Sequence, residues 1–173
     1  MTGQVSTDED TVIRELLDSD SDRVLDIYRR GLDTGDASFE TAVPEWAIWK
    51  RKYHPFCRFV YEHDTMVQGW AALAPVSARD CYSGVAEVSV YVDPDYIGQG
   101  IGNALMEHLV PASEAAGMWT LYSSIFPENQ ATLKLHLRHD FREVGIRERI
   151  AQRNGRWRDT LVLERRSKNI GCD

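Results

Sequence analysis

Two periods of apolar and polar positions alternate along this chain. Val12–Leu17 carries the period of a short strand. Across Ser19–Gly31, Val24, Ile27, Tyr28 and Gly31 recur at helical spacing, which predicts a helix capped by Ser19 or Ser21 and ended by Gly31. Leu32–Thr41 reads as a loop, and Pro44–His54 as a second helix with Pro44 in its first turn and Trp46 and Trp49 on one side. Arg58–His63 and Val67–Ala74 flank a polar turn and predict a hairpin. Val85–Asp93 is the clearest strand. Ile101–Gly117 is the clearest helix, with Ile101, Leu105 and Leu109 on one stripe and a kink expected at Pro111. A strand at Trp119–Phe126 and a helix at Pro127–His139 follow. Glu143–Ala151 and Thr160–Glu164 read as two closing strands around a turn at Asn154–Gly155. The order β-α-α-β-β-β-α-β-α-β-β predicts an α/β fold, a mixed sheet with helices on both faces.

Composition narrows the class. With 173 residues, 43% of them hydrophobic and 27% charged, the chain has the balance of a globular protein with a real core. No repeat, low-complexity tract or linker divides it, so one domain over 1–173 is expected, with a core at about 12–166 and flexible termini. No apolar run reaches the length of a membrane span, and MTGQVSTDED lacks the pattern of a secretory signal. Cys57, Cys81 and Cys172 are odd in number and far apart, which suits a reducing cytoplasm rather than a disulfide framework. The five histidines show no metal spacing, so no metal is expected. The formal net charge of -7 argues against a nucleic-acid polymer or an anionic membrane as partner. It is unevenly spread. Residues 1–40 hold 11 acidic and 4 basic side chains, whereas 134–168 hold 11 Lys/Arg against 5 Asp/Glu, which leaves room for small anions.

The stretch EVSVYVDPDYIGQGIGNALMEHL carries the chemistry. Ala86, Val88, Val90 and Val92 form one apolar face, expected to pack on a helix. Glu87, Ser89 and Tyr91 point the other way, so that face either lines a cleft or meets solvent. Gly98, Gly100 and Gly102 then run into the helix, where free backbone N–H groups suit a phosphate; the alternative is a tight connecting turn. A Walker loop needs Gly-Lys-Ser/Thr, but Gly102 is followed by Asn103 and Ala104, and a dinucleotide fingerprint needs glycine where Asn103 stands.

Ile97-Gly98-Gln99-Gly100-Ile101-Gly102 after a strand resembles the acetyl-CoA loop of the GNAT N-acetyltransferase superfamily, Gln/Arg-x-x-Gly-x-Gly/Ala. SARDCY at 77–82, AEVSVYV at 86–92, NQATLKLH at 129–136 with Phe141 beyond, and GRWRD at 155–159 resemble its phosphinothricin acetyltransferase branch. The resemblance implies the GNAT fold, a central mixed twisted sheet of about six to seven strands with helices on both faces. It also implies acetyl-CoA as co-substrate and a small amino-acid-like amine as acceptor. Two departures stand out. Ile97 replaces the usual Gln/Arg, leaving the pyrophosphate to backbone N–H groups, and His139-Asp140-Phe141 replaces Leu-Gly-Phe, which asks Asp140 for a left-handed conformation or a local rearrangement.

By the same resemblance Glu87 is the general base. In a partly apolar cleft its pKa would rise from roughly 4.3 toward neutrality, whereas as a solvated strand residue it would have no such role. His136 stands where many members carry a Tyr that assists the leaving thiolate; its other reading is structural. Backbone N–H groups of Val90, Tyr91 and Val92 are expected to hold the oxyanion and acyl arm, Ile97 to Gly102 the pyrophosphate, and Asn129 the pantetheine. Phe39, Arg79 and Tyr82 match acceptor-site positions, with Ser77 in place of a neighbouring basic residue, and Arg suits a carboxylate or phosphinate. Trp157 reads as cleft wall or dimer contact, and Asp159 as amine contact or structural hydrogen-bond acceptor. The expectation is therefore a cytoplasmic, homodimeric N-acetyltransferase acting by direct attack on phosphinothricin, methionine sulfoximine or methionine sulfone. Its rivals are a non-catalytic acyl-CoA-binding module and an acetyltransferase for polyamines, aminoglycosides or protein N-termini.

Overall fold

The computed structural model describes residues 10–172; residues 1–9 and 173, part of the termini expected to be flexible, lie outside the described residues. The strands are β1 (Thr11–Glu15), β2 (Phe59–His63), β3 (Met66–Pro75), β4 (Val85–Val92), β5 (Thr120–Ile125), β6 (Arg142–Arg153) and β7 (Arg156–Arg166). The α-helices are α1 (Ser21–Asp33), α2 (Trp46–Lys52), α3 (Ile101–Ala115) and α4 (Gln130–Arg138). The seven strands form one mixed sheet in the order β1-β2-β3-β4-β5-β7-β6, antiparallel throughout except for β4 with β5. The predicted α/β class and element order match this architecture.

Each face of the sheet buries its own core. On one face Ala86 and Val88 of β4 join Ile101, Leu105 and Leu109 of α3, with Leu133 and Leu135 of α4 packed alongside, as the apolar alternation of β4 predicts. On the other, Val24, Ile27 and Tyr28 of α1 and Trp49 of α2 surround Trp70 and Ala72 of β3. Trp46 and Trp49 stack at 4.7 Å, on one side of α2 as expected.

Several boundaries shift for local reasons. Pro44 lies ahead of α2, because Glu45, with ψ 153°, is still extended when it caps the helix. The Asn129 side chain accepts the Thr132 N–H at 3.2 Å and so starts α4 three residues later than Pro127. The helix α3 runs on through Pro111 to Ala115. Asp140 takes φ 63°, the left-handed conformation anticipated for a non-glycine helix terminator. The hairpin β6–β7 is longer than its sequence pattern indicates, and it turns at Asn154 and Gly155, with φ 51° and 76°.

Gly31 does not end α1, which continues to Asp33. A methyl group there would sit 2.6 Å from Cδ1 of Tyr91, whose ring is itself stacked on Trp70 at 4.9 Å and held edge-on by Tyr28 at 4.9 Å. Gly31→Ala is therefore expected to destabilise by about 1–3 kcal/mol, overriding a helix-propensity gain of about 1 kcal/mol. Urea unfolding checks this, and an unchanged or raised midpoint refutes the close packing.

The sheet opens at its centre. Antiparallel pairing with β3 continues along β4 to Val92, but parallel pairing with β5 covers only Val85–Glu87. Beyond Tyr122, β5 remains paired with β7, so β4 and β5 diverge and leave a cleft between them.

Candidate active site

A cleft of about 1160 Å³ fills this opening, and Glu87, Ser89 and Tyr91 line it together. The polar face of β4 thus lines a cavity rather than meeting bulk solvent. Burial pushes the Glu87 carboxyl above its usual range; the Lys52 and Arg147 charges oppose that rise and Glu40 adds to it. Lys52 is bound to Glu40 at 2.7 Å, and Glu40 also accepts the Tyr28 hydroxyl at 2.9 Å. The Tyr53 hydroxyl donates to Ser89 Oγ at 3.2 Å. Glu87 makes no side-chain hydrogen bond or ion pair among the described residues, so none of them shares its proton.

Backbone direction sharpens the role of Val90–Val92. Successive N–H groups of a strand point to opposite edges. The Asp93 N–H goes to Gln68 O beside β3 at 2.8 Å, so the Tyr91 N–H faces the same edge. Those of Val90 and Val92 face the opposite edge, where pairing with β5 has ended. These two donors open into the cleft.

Behind them, Gly98 and Gly100 take φ 85° and 82°, conformations open to glycine but strained for other residues. Gly100 caps α3, whose first turn has no side-chain cap and no acidic residue, so its N–H groups and positive dipole end are available to an anion. Added methyl groups at Gly98 and Gly100 would meet nothing within 4 Å, whereas one at Gly102 would come within 3.3 Å of Leu135. The loop fits a phosphate approaching its backbone. Ile97, Gly98, Gly100, Ile101 and Gly102 line the cleft; Gln99 does not. Lys134 and Arg138, one helical turn apart on α4, line it too.

His136 borders the same space and is 3% exposed. Its Nδ1 lies 2.8 Å from the Thr132 carbonyl, which can only accept, so Nδ1 carries the hydrogen. Burial lowers the imidazole pKa and favours the neutral ring, leaving Nε2 as a bare lone pair, buried and unpartnered among the described residues. Asn129 lines the cleft with Oδ1 on Thr132 N and Nδ2 on Asp36 O.

Phe39 reaches the cleft from the α1–α2 loop, edge-on to Phe126 at 4.9 Å. Two arginines fasten that loop: Arg153 donates to Ser38 O and Leu32 O, and Arg158 to Gly35 O at 2.8 Å. Other expected site residues lie apart from the cavity. Arg79 and Tyr82 stack on each other at 5.3 Å in the exposed β3–β4 connection. Asp159 accepts the Arg149 N–H at 2.7 Å, a structural bond within the hairpin. Trp157 is exposed and does not border the cavity. Lys52, Glu40, Tyr53, Tyr122 and Arg147 also line the cleft, and no sequence motif marks them.

The Acetyltransferase (GNAT) family profile matches residues 22–141. Phosphinothricin N-acetyltransferase of Alcaligenes faecalis is 30% identical over 161 residues, covering 88% of this chain and 81% of that protein. L-methionine sulfoximine/L-methionine sulfone acetyltransferase of Pseudomonas paraeruginosa is 31% identical over 98 residues, which is 57% of each chain. Among solved structures, a GNAT superfamily phosphinothricin acetyltransferase from Sinorhizobium meliloti in complex with acetyl-CoA shares the fold. Its TM-score is 0.85 at 24% identity, over 94% of this chain and 91% of that one.

Proposed function

Since the chain belongs to the acetyltransferase (GNAT) family, we propose that it transfers the acetyl group of acetyl-CoA to the primary amine of a small amino-acid-like acceptor. Phosphinothricin, methionine sulfoximine and methionine sulfone are the acceptors in view, supported by the names of two relatives. The observation that carries the proposal is the convergence in one cleft of the desolvated Glu87 carboxyl, the outward N–H groups of Val90 and Val92, and the glycine loop.

Bound acetyl-CoA supplies an activated acetyl thioester. Gly98 to Gly102 and the start of α3 hold its pyrophosphate through backbone N–H groups, with Lys134 and Arg138 adding positive charge. The second N–H of the Asn129 amide remains for the pantetheine arm. Glu87 takes a proton from the acceptor's ammonium group, directly or through water, and so frees the nitrogen lone pair to attack. The Val90 and Val92 N–H groups stabilise the charge that develops on the acetyl oxygen. Neutral His136 offers Nε2 only as an acceptor and is no source of a proton for the departing sulfur while Nδ1 is tied to Thr132. The carbon–sulfur bond therefore breaks with CoA leaving as the thiolate, which takes up the second proton released by the attacking nitrogen. None of the three cysteines lines the cleft, which supports direct attack over an acyl-enzyme.

The hairpin β6–β7 leaves Val144, Ile146, Ile150 and Trp157 exposed, which supports a homodimer formed through this arm. No helix among the described residues is long and apolar enough to cross a membrane, and the free cysteines fit a cytoplasmic location.

An amine panel with acetyl-CoA, read by thiol release, tests the assignment. Turnover of the amino-acid analogues is expected. Turnover confined to polyamines, aminoglycosides or peptide N-termini would replace the acceptor class, and thermal stabilisation by acetyl-CoA with no thiol release would favour a binding module.

A further inference from the structure

Beside Glu87 the cleft holds an arginine that forms no ion pair among the described residues. Arg147, on β6, donates from Nη1 to the Tyr122 hydroxyl at 3.0 Å and lies 5.9 Å from that ring's centre. Tyr122 is the register partner of Glu87 across the parallel β4–β5 pair, and all three residues line the cavity. Lys52 is committed to Glu40 at 2.7 Å, while Arg153 and Arg158 are spent on the α1–α2 loop. Arg147 forms no ion pair among the described residues. A guanidinium held by a phenol hydroxyl, on the wall beside the base, retains N–H groups for a planar anion.

The backbone beneath it is unusual. Arg147 pairs with Thr160 and Ala151 with Arg158, so three residues of β6 lie across from Asp159 alone. Arg149, at the centre of this bulge, has φ 44°, a left-handed conformation unfavourable for arginine. Its N–H is bound by Asp159 Oδ1 at 2.7 Å. Arg147, Ile150 and Ala151 around the bulge all reach the cavity.

We propose that Arg147 binds the acceptor's carboxylate, and that Asp159 is a positioning residue that fixes the bulge aiming Arg147 into the cleft. The proposal rests on the reading of the acceptor as amino-acid-like. It moves acceptor recognition from Arg79, which lies outside this chain's cavity, to the hairpin. No covalent step is added; the anchor sets the acceptor's amine toward Glu87.

Steady-state kinetics at saturating acetyl-CoA separate the possibilities, with methionine sulfone and its decarboxylated amine as paired acceptors. Arg147→Gln is expected to lower the preference in kcat/KM for the carboxylated acceptor by about 10- to 100-fold, chiefly through KM. Arg147→Lys should recover part of that preference. Asp159→Ala should reproduce the loss, Asp159→Asn should retain the Arg149 bond and the preference, and the double variant Arg147→Gln/Asp159→Ala should be no worse than Arg147→Gln. Turnover of the decarboxylated amine reports that each variant is folded. An unchanged preference in Arg147→Gln overturns the proposal, as does loss of preference in Arg79→Gln alone. Failure of the unaltered enzyme to acetylate any carboxylated amine overturns the underlying acceptor reading, and is recognisable because it needs no variant.

Discussion

Glu87→Gln is expected to lower kcat/KM for every accepted amine by about 10²- to 10⁴-fold, the usual contribution of a positioned general base. Glutamine keeps the shape of the side chain and removes only its ability to take a proton. At neutral pH an alkyl ammonium is almost wholly protonated, so the unaltered enzyme can use the abundant form and the variant only the rare neutral amine. Their pH profiles should therefore differ in shape. With Glu87 present, the rate rises through the carboxyl's pKa, which burial places above the ordinary carboxylate range, and then levels. In the variant the rate should climb about tenfold per pH unit until the amine itself titrates. Identical profiles would remove Glu87 from the reaction.

Stability should move the other way. A carboxyl with a raised pKa in the folded state binds its proton more tightly there than in the unfolded chain. Its contribution is favourable below the unfolded value and is lost as pH rises through the folded one. At a pH above the folded value an ionised, desolvated Glu87 opposes folding, so there Glu87→Gln should unfold at a higher temperature while losing activity. That opposition supports the proposed role of Glu87 as the base.

The sequence exposes Glu87 because strand alternation is a local property: apolar residues on the even positions of β4 leave its odd positions conspicuous. The glycine loop is legible for a similar reason, since positive φ at Gly98 and Gly100 needs the residue type itself. The position of His136 can be read, but its acceptor tautomer depends on the Thr132 carbonyl. The segment AEVSVYV contains all three candidate N–H donors, yet their alternation needs a register, and Tyr91 proves to face β3. Lys52, Tyr122 and Arg147 come from three separate elements and share a cleft with Glu87 only in the folded chain. The full length of β6 is not legible, because both of its faces are largely exposed and the bulge interrupts any period of two. For Arg79 and Tyr82, the motif identifies residues whose location lies in an exposed connection.

Asp93→Ala should produce the largest loss of stability, about 3 kcal/mol, the lower part of the range for breaking a buried ion pair. The Asp93 carboxylate is 1% exposed and bridges Arg23 and Arg30 of α1. The two arginine side chains are still 29% and 27% exposed, so water can compensate them in part. For a domain of this size the change corresponds to a fall in Tm of about 6–12 °C. Burial alone would raise the Asp93 carboxyl, but the Asp95 N–H and the Arg23 and Arg30 charges together hold it below its usual range. Its stabilisation is therefore complete above the unfolded-state pKa and is lost as pH falls through the depressed folded value. The variant should lose that segment of the acid-unfolding curve. Asp93 also accepts the Asp95 N–H at 3.0 Å and thereby closes the turn that leads into the glycine loop. Asp93→Asn retains an acceptor for that turn but not the charge. It should share much of the stability loss while binding acetyl-CoA more tightly than Asp93→Ala, as measured by calorimetry at a temperature where both are folded. Equal binding by the two would separate the ion pair from the loop, and a Tm change of less than about 2 °C in Asp93→Ala would deny the pair its structural weight.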